Sequence, residues 1–232
     1  LFLEPSTRTR FSFEMAARTL GAETMVFAAA SSSTTKGESL LDTARTLHSI
    51  GVDAFVVRHR RVGTPHLLAD RLGVPVVNAG DGINEHPTQA LLDALTLRDH
   101  LGDLTGRTIA IIGDVRHSRV ARSNAFLLGR LGANVLMAGP SSLCPPSMTA
   151  LGVEVVPDLH TAVRRADAVM MLRIQHERLG RAMLPSDTEY AALYGLSAER
   201  LAQARPGTLV LHPAPMNRGV EIDGVIADDI DR

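Results

Sequence analysis

Apolar runs of strand length alternate with stretches of helical period along this chain. Residues 24–28, 53–57 and 75–78 read as strands. Between them, residues 38–50 place Leu40, Ala44 and Leu47 at helical spacing, and residues 65–72 form a shorter helical stretch. After Pro87, residues 89–100 carry Leu91, Leu92 and Leu95, again on a helical period. The alternation then restarts. Strands are predicted at 108–112, 134–138, 153–156, 168–172 and 208–211. Helices are predicted at 118–131, 159–165 and 186–204, the last split in two near Gly195. Near the start, Phe13, Ala16, Ala17 and Leu20 share one helical face, and Leu1-Phe2-Leu3 reads as the end of a buried strand.

Alternating strands and helices build parallel sheets covered by helices on both faces. The predicted fold is α/β, with two parallel-sheet domains joined by a long helix that begins near Pro87. The polar stretch 99–107 sets the boundary, giving domains 1–99 and 100–232. Ligands of open α/β sheets gather at the carboxyl ends of the strands. The polar clusters of this chain fall there. Ser6 to Arg10 follow the first strand, Arg58 to Arg61 the strand at 53–57, and His86 and Gln89 the strand at 75–78. Asp114 to Arg122 follow Ile112, Arg173 and Gln175 follow Leu172, and His212 follows Leu211. Strand ends that all carry Arg or His describe a pocket for a polyanionic small ligand.

Composition narrows the class. The formal net charge of -1 argues against a nucleic-acid binder that works through a broad basic surface. No apolar run approaches the ~18 residues of a membrane span. Residues 1–10 hold no signal-peptide pattern, and the single cysteine, Cys144, cannot form an internal disulfide. A reducing, cytoplasmic setting fits both, with Cys144 an inert loop thiol. Among the 24 Lys and Arg residues, Lys36 is the only lysine. A lone lysine fits a place where a compact ammonium is needed and a guanidinium fork is not, or a chance survival. Both ends read as cut: there is no initiating Met, and residues 228–232 stop without a closing element.

Each polar cluster has a bland reading beside its chemical one. Ser6 to Arg10 open a helix, whose free N–H groups and dipole suit a phosphate; a plain Ser N-cap beside surface arginines fits as well. Ser31 to Lys36 form either a solvated loop or one whose lysine closes over an anion. In His86-Pro87-Thr88-Gln89, the His either caps the helix that Pro87 helps start or polarises a carbonyl, while Gln89 can bond a carboxamide-like group. Arg116, His117, Arg119 and Arg122 suit carboxylate recognition. Arg173 and Gln175 either grip a carboxylate or sit in an ordinary polar loop. No His, Cys, Asp or Glu group shows metal-site spacing.

Together these motifs resemble the catalytic chain of the aspartate carbamoyltransferase family. The resemblance runs from end to end. It is carried by Phe2-Leu3-Glu4-Pro5-Ser6-Thr7-Arg8-Thr9-Arg10-Phe11-Ser12-Phe13-Glu14, by Lys36-Gly37-Glu38, and by Asn78-Ala79-Gly80-Asp81-Gly82. It continues through His86-Pro87-Thr88-Gln89-Ala90-Leu91-Leu92-Asp93, residues 113–123, Leu172-Arg173-Ile174-Gln175-His176-Glu177-Arg178 and His212-Pro213-Ala214-Pro215. The last two segments point to the aspartate rather than the ornithine member.

The resemblance implies transfer of a carbamoyl group from carbamoyl phosphate to L-aspartate, early in pyrimidine synthesis, with no metal or organic cofactor. It implies that Ser6, Thr7, Arg8 and Thr9 hold the phosphate. Arg58, Thr9 and His86 would bond the carbonyl oxygen, and Gln89 the carbamoyl amide. Arg119, Arg173 and Gln175 would bind the two carboxylates of aspartate, with Pro213 and Ala214 contributing backbone contacts. Lys36 and Ser32 would come from a neighbouring subunit of a homotrimer with shared active sites. Of these, Arg8, Thr9, Lys36, Arg58 and His86 are the expected catalytic groups. A dihydroorotase or a regulatory chain is a possible further partner; nucleic acid and membrane are not expected. Family chains extend beyond both ends of this one. Two other readings stand beside it: a transcarbamoylase with another amine acceptor, and an inactive homologue that only binds anions or partner chains.

Overall fold

The computed structural model describes residues 1–27, 38–174 and 186–229. The chain divides into two compact units, Leu1–Thr88 and Gln89–Arg232.

The first unit opens with helix α1 (Thr7–Thr19), which buries none of its side chains. Helix α2 (Leu40–Ser49) starts at Ser39, whose hydroxyl accepts from the Asp42 amide. Strand β1 (Phe55–His59), helix α3 (Thr64–Leu72) and strand β2 (Val76–Asp81) follow. β1 and β2 pair in parallel, with the register slipping between Val57 and His59. Phe55 and Val57 point to one side of β1, where Ala44 of α2 and Leu68 of α3 bury them. The chain start runs along the other edge of β1. The Leu3 amide donates to the Arg58 carbonyl at 2.9 Å, and the Arg58 amide donates to the Leu1 carbonyl at 3.0 Å.

Helix α4 (Pro87–Leu101) has Pro87 as its first residue, a position where a missing N–H does no harm. The division between the units falls inside its first turn. The second unit then runs β3 (Thr108–Ile112), α5 (Arg119–Arg130), β4 (Asn134–Ala138), a 3-10 turn at Pro146–Leu151, β5 (Glu154–Val155), α6 (Leu159–Arg165) and β6 (Ala168–Met171). It closes with α7 (Asp187–Tyr194), α8 (Ala198–Leu201), β7 (Leu209–Leu211) and α9 (Gly224–Ala227). Its strands are all parallel, in the order β5-β4-β3-β6-β7.

Strand alternation sorts this core into two faces. Ile109, Ile111, Met137 and Met170 face Ala121, Ala125 and Leu128 of α5 and Ala94 and Leu97 of α4. Ala110, Ile112, Leu136, Val169 and Met171 face Leu159, Ala162 and Val163 of α6. Gly195, in extended backbone between α7 and α8, sits where a Cβ would meet the Val220 carbonyl oxygen at 2.6 Å.

The α/β reading with parallel sheets and a long helix from Pro87 stands. Two details differ. Residues 24–27 form no strand: no neighbouring strand pairs with them among the described residues, and Met25 and Val26 are exposed. Leu1 to Leu3 contribute an isolated bridge, Phe2 to Arg58, rather than a strand. Cys144 stands in the loop between β4 and the 3-10 turn, as read, with its side chain packed into the first face of the core; burial pushes its thiol up to about 11, so it stays unreactive. Among the described residues, no helix is long and apolar enough to cross a membrane.

Candidate active site

In the first unit the polar residues gather at the carboxyl ends of the strands. Arg58 is the penultimate residue of β1, and its side chain is 11% exposed. Its guanidinium Nη1 donates to Thr9 Oγ1 at 3.2 Å and to the Ala79 carbonyl at 3.4 Å. Its Nη2 donates to Glu4 Oε1 at 3.3 Å. Arg58 thus joins the chain start, the first turn of α1 and the end of β2. A guanidinium is suited to this because its planar fork serves several acceptors at once.

Ser6, Thr7, Arg8 and Thr9 surround the N-terminus of α1. Helices α2, α5, α6, α7 and α8 each have a side chain that accepts a hydrogen bond at the N-terminus. Ser6, the N-cap of α1, makes no such bond, and the first turn of α1 holds no acidic residue. Its unsatisfied amides and dipole keep their capacity for an anion.

A second polar centre was not foreseen. Asp81, fully buried at the end of β2, accepts from Gly63 N at 2.8 Å, Asn78 Nδ2 at 3.0 Å, Glu85 N at 3.0 Å and Asn84 Nδ2 at 3.1 Å. Burial alone would raise its carboxyl, yet these donors outweigh burial and hold it below the usual carboxylate range. The bonds fix the turn that leads to His86. His86 is buried, with Nδ1 3.3 Å from the Thr88 hydroxyl. His59 serves the local loop: its Nδ1 accepts from the Arg61 amide at 2.9 Å. Burial lowers the His59 pKa, and the charges of Arg61 and Arg60 push the same way.

In the second unit, Arg119 follows β3, Arg173 follows β6, and Pro213 and Ala214 follow β7. β6 lies between β3 and β7, so these residues come from three successive strand ends. The chain leaves β3 for β4 on one side, while β6 and β7 lie on the other. Arg119 and Arg173 therefore flank the switch point, the usual ligand position in such sheets. Arg119 is 6% exposed and is the first residue of α5, behind the Ser118 cap that accepts from Ala121 N at 3.1 Å. Arg173 is half-buried. His117 is engaged by Asp114, whose Oδ1 lies 2.9 Å from its Nδ1.

The loop after β7 is pinned at both ends. The Ala214 amide donates to His212 Nδ1 at 2.9 Å, and His212 Nε2 lies 3.2 Å from Oε1 of fully buried Glu221. The backbone around Ala214 is unusual, with φ at +45° and a cis peptide to Pro215. Gln89 opens the second unit on α4 and donates from Nε2 to Asp93 Oδ1 at 2.8 Å. Ser32, Lys36 and Gln175 lie outside the described residues. The polar supports Glu4, Asp81, Asp93 and Glu221 had no role in the sequence reading; only the first three fall inside its recognised segments, and without a spacing signal.

Two family models match the chain in succession. The family model described as "Aspartate/ornithine carbamoyltransferase, carbamoyl-P binding domain" matches residues 1–99. That described as "Aspartate/ornithine carbamoyltransferase, Asp/Orn binding domain" matches residues 105–231. The aspartate carbamoyltransferase catalytic subunit of Gluconacetobacter diazotrophicus is 58% identical over 98% of this chain and 71% of its own length. That of Rhodospirillum centenum is 54% identical over 100% of this chain and 73% of its own. Among solved structures, aspartate transcarbamoylase from Trypanosoma cruzi in complex with carbamoyl phosphate and aspartate superposes with a TM-score of 0.85 at 32% identity. It covers 100% of this chain and 74% of the solved one. The chain belongs to the aspartate/ornithine carbamoyltransferase family.

Proposed function

We propose that this chain transfers the carbamoyl group of carbamoyl phosphate to the amine of L-aspartate, giving N-carbamoyl-L-aspartate and phosphate. The observation that carries the reading is Arg58, gripped by Glu4 and bonded to Thr9 beside the uncapped N-terminus of α1. Relatives named as aspartate carbamoyltransferase catalytic subunits support the choice of aspartate as acceptor.

The phosphate of the donor meets the α1 amides with Ser6, Thr7, Arg8 and Thr9. The attacking amine drives negative charge onto the carbonyl oxygen and onto the leaving phosphate. Arg58, Thr9 and His86 present donors to that oxygen, an oxyanion-hole arrangement. The Thr88 hydroxyl, 3.3 Å from His86 Nδ1, orients the imidazole ring for that role. Gln89 accepts from the carbamoyl amide. Arg119 and Arg173, with Gln175, bind the two carboxylates of aspartate as charge-assisted pairs, and the backbone at Pro213 and Ala214 shapes that end. Holding two anions together supplies a proximity term as well. No protein group is assigned as general base; the departing phosphate takes the amine proton.

Residues 1–99 then form the carbamoyl-phosphate domain and residues 100–232 the aspartate domain. Ser32 and Lys36 act in a neighbouring copy within a homotrimer, in the cytoplasm, in pyrimidine synthesis. The test is a colorimetric assay of carbamoyl-aspartate formed from carbamoyl phosphate and aspartate. Product is expected with aspartate and not with ornithine. Transfer to ornithine in preference would move the chain to the other acceptor class, and no transfer to any amine would overturn the reading.

A further inference from the structure

We infer that Asp93 is a positioning residue that fixes which end of the Gln89 amide faces the carbamoyl group, so that the site reads N–H donors. The inference rests on the proposed function. Gln89 and Asp93 are one turn apart on α4, hence on the same face. Gln89 Nε2 donates to Asp93 Oδ1 at 2.8 Å. The other carboxylate oxygen, Oδ2, accepts from Asn124 Nδ2 of α5 at 2.7 Å. That amide nitrogen also donates to the Val120 carbonyl at 3.1 Å, which holds it in place. Asp93 is 6% exposed and Asn124 fully buried.

The chemistry follows from the donor inventory. An ionised carboxylate only accepts, whereas a glutamine amide can present either end. With both oxygens of Asp93 receiving amide N–H groups, Gln89 must turn Nε2 to Asp93. Its Oε1 has no hydrogen bond among the described residues. That oxygen is the acceptor left for a substrate. A carbamoyl group differs from an acetyl group by an amino group in place of a methyl, so an acceptor here rewards carbamoyl phosphate over acetyl phosphate. A reversed Gln89 would set its own donor against the substrate's donor. Burying a carboxylate is unfavourable unless it is hydrogen-bonded, and a merely structural contact between α4 and α5 does not need one. Reading the substrate amide gives the carboxylate a purpose.

The experiment compares carbamoyl phosphate with acetyl phosphate, which lacks the N–H donors. Wild-type protein is assayed for its KM for carbamoyl phosphate and for inhibition by acetyl phosphate and by inorganic phosphate. Asp93→Asn keeps the shape but can accept from only one of its two neighbours. It is expected to reduce the carbamoyl-over-acetyl preference roughly tenfold, about one hydrogen bond's worth, while phosphate inhibition holds. In a Gln89→Leu background, Asp93→Asn should change the preference no further. Should Asp93→Asn fail to fold, the paired change Asp93→Leu with Asn124→Leu removes the carboxylate and its buried donor together, and the preference must fall there too. Equal weakening toward both acyl phosphates, or an unchanged preference, overturns the inference while leaving the proposed function intact. Absence of carbamoyl-aspartate formation by wild-type protein overturns the proposed function instead.

Discussion

The two units place polar residues at the same position, the carboxyl ends of parallel strands, but hold them there by different means. In the second unit β3, β4 and β6 are buried on both faces, by α4 and α5 on one side and α6 on the other. Arg173 follows β6 and Arg119 opens α5 beyond the end of β3, so the apolar packing of these strands and of α5 adds to their polar contacts in setting their positions. In the first unit the buried cluster of Ala44, Phe55, Val57 and Leu68 lies beneath a two-stranded sheet. Helix α1 adds no buried side chain. There the positions are set by hydrogen bonds: Arg58 to Glu4, Thr9 and Ala79, and Asp81 to its donors. The anion site of the first unit should therefore respond to charge and pH, and that of the second to lost volume.

The largest effect should come from volume. Ile111→Ala in the fully buried face of β3 is expected to cost about 2–5 kcal/mol in denaturant unfolding. Leu68→Ala should fall at the low end of that range, because many of its neighbours are only partly buried and can close the gap. Equal losses would break the comparison. Arg58→Ala comes next. It should lower kcat about 10²–10³-fold, the scale of one lost oxyanion donor, on top of the stability cost of leaving Glu4 without its guanidinium. Arg58→Lys should not rescue it, since an ammonium is a point charge and not a fork that spans Glu4 and Thr9. A large unfolding defect with intact activity would make Arg58 a strut rather than a catalytic group.

The same contrast explains what the sequence made legible. The strands of the second unit are unbroken apolar runs, such as Ile109 to Ile112, and doubly buried strands advertise themselves that way. Residues 24–27 carry a comparable apolar signal, but pattern does not say whether a partner strand exists. The candidate site was legible through local motifs, since Ser6 to Thr9 and His86 to Gln89 are contiguous. The supports were not. Asp93 meets Asn124 across 31 positions, and only the packing of α4 against α5 brings them together. Nor does spacing mark Asp81, whose donors come from the loops at Gly63 and at 84–85.

The two buried aspartates sharpen the comparison through pH. The Asp81 carboxyl is held low, so its contribution is present above the ordinary carboxylate pKa of about 4 and is lost as pH falls through its lowered value. Asp93 is the reverse: burial raises it, against the bonds from Asn124 and Gln89. Its contribution is complete below about pH 4 and is lost as pH rises through its raised value. Asp81→Asn should flatten the acid side of a stability profile and cost about 1–3 kcal/mol near neutral pH, because one amide cannot accept from all of those donors. Asp93→Asn should flatten the opposite slope. Denaturant midpoints measured against pH would show two slopes of like sign if the units anchored their carboxylates alike.

The smallest effects should come from helix caps, where the same residue does the same job in each unit. Ser39 caps α2 by accepting from Asp42 N at 3.1 Å, at an exposed site. Ser118 caps α5 by accepting from Ala121 N at 3.1 Å, at a site only 5% exposed. Loss of a serine cap costs about 1 kcal/mol on average. Water can reach the freed amide at position 42, so Ser39→Ala should fall below that mean. At position 121 the amide stays buried and unsatisfied, so Ser118→Ala should exceed it. Ser118→Ala should also raise the KM for aspartate, because α5 starts with Arg119 and a frayed first turn loosens that guanidinium. Ser39→Ala has no such route to substrate. Equal costs for the two caps, with KM for aspartate unmoved, would mean that the core of the second unit holds Arg119 in place without help from its cap.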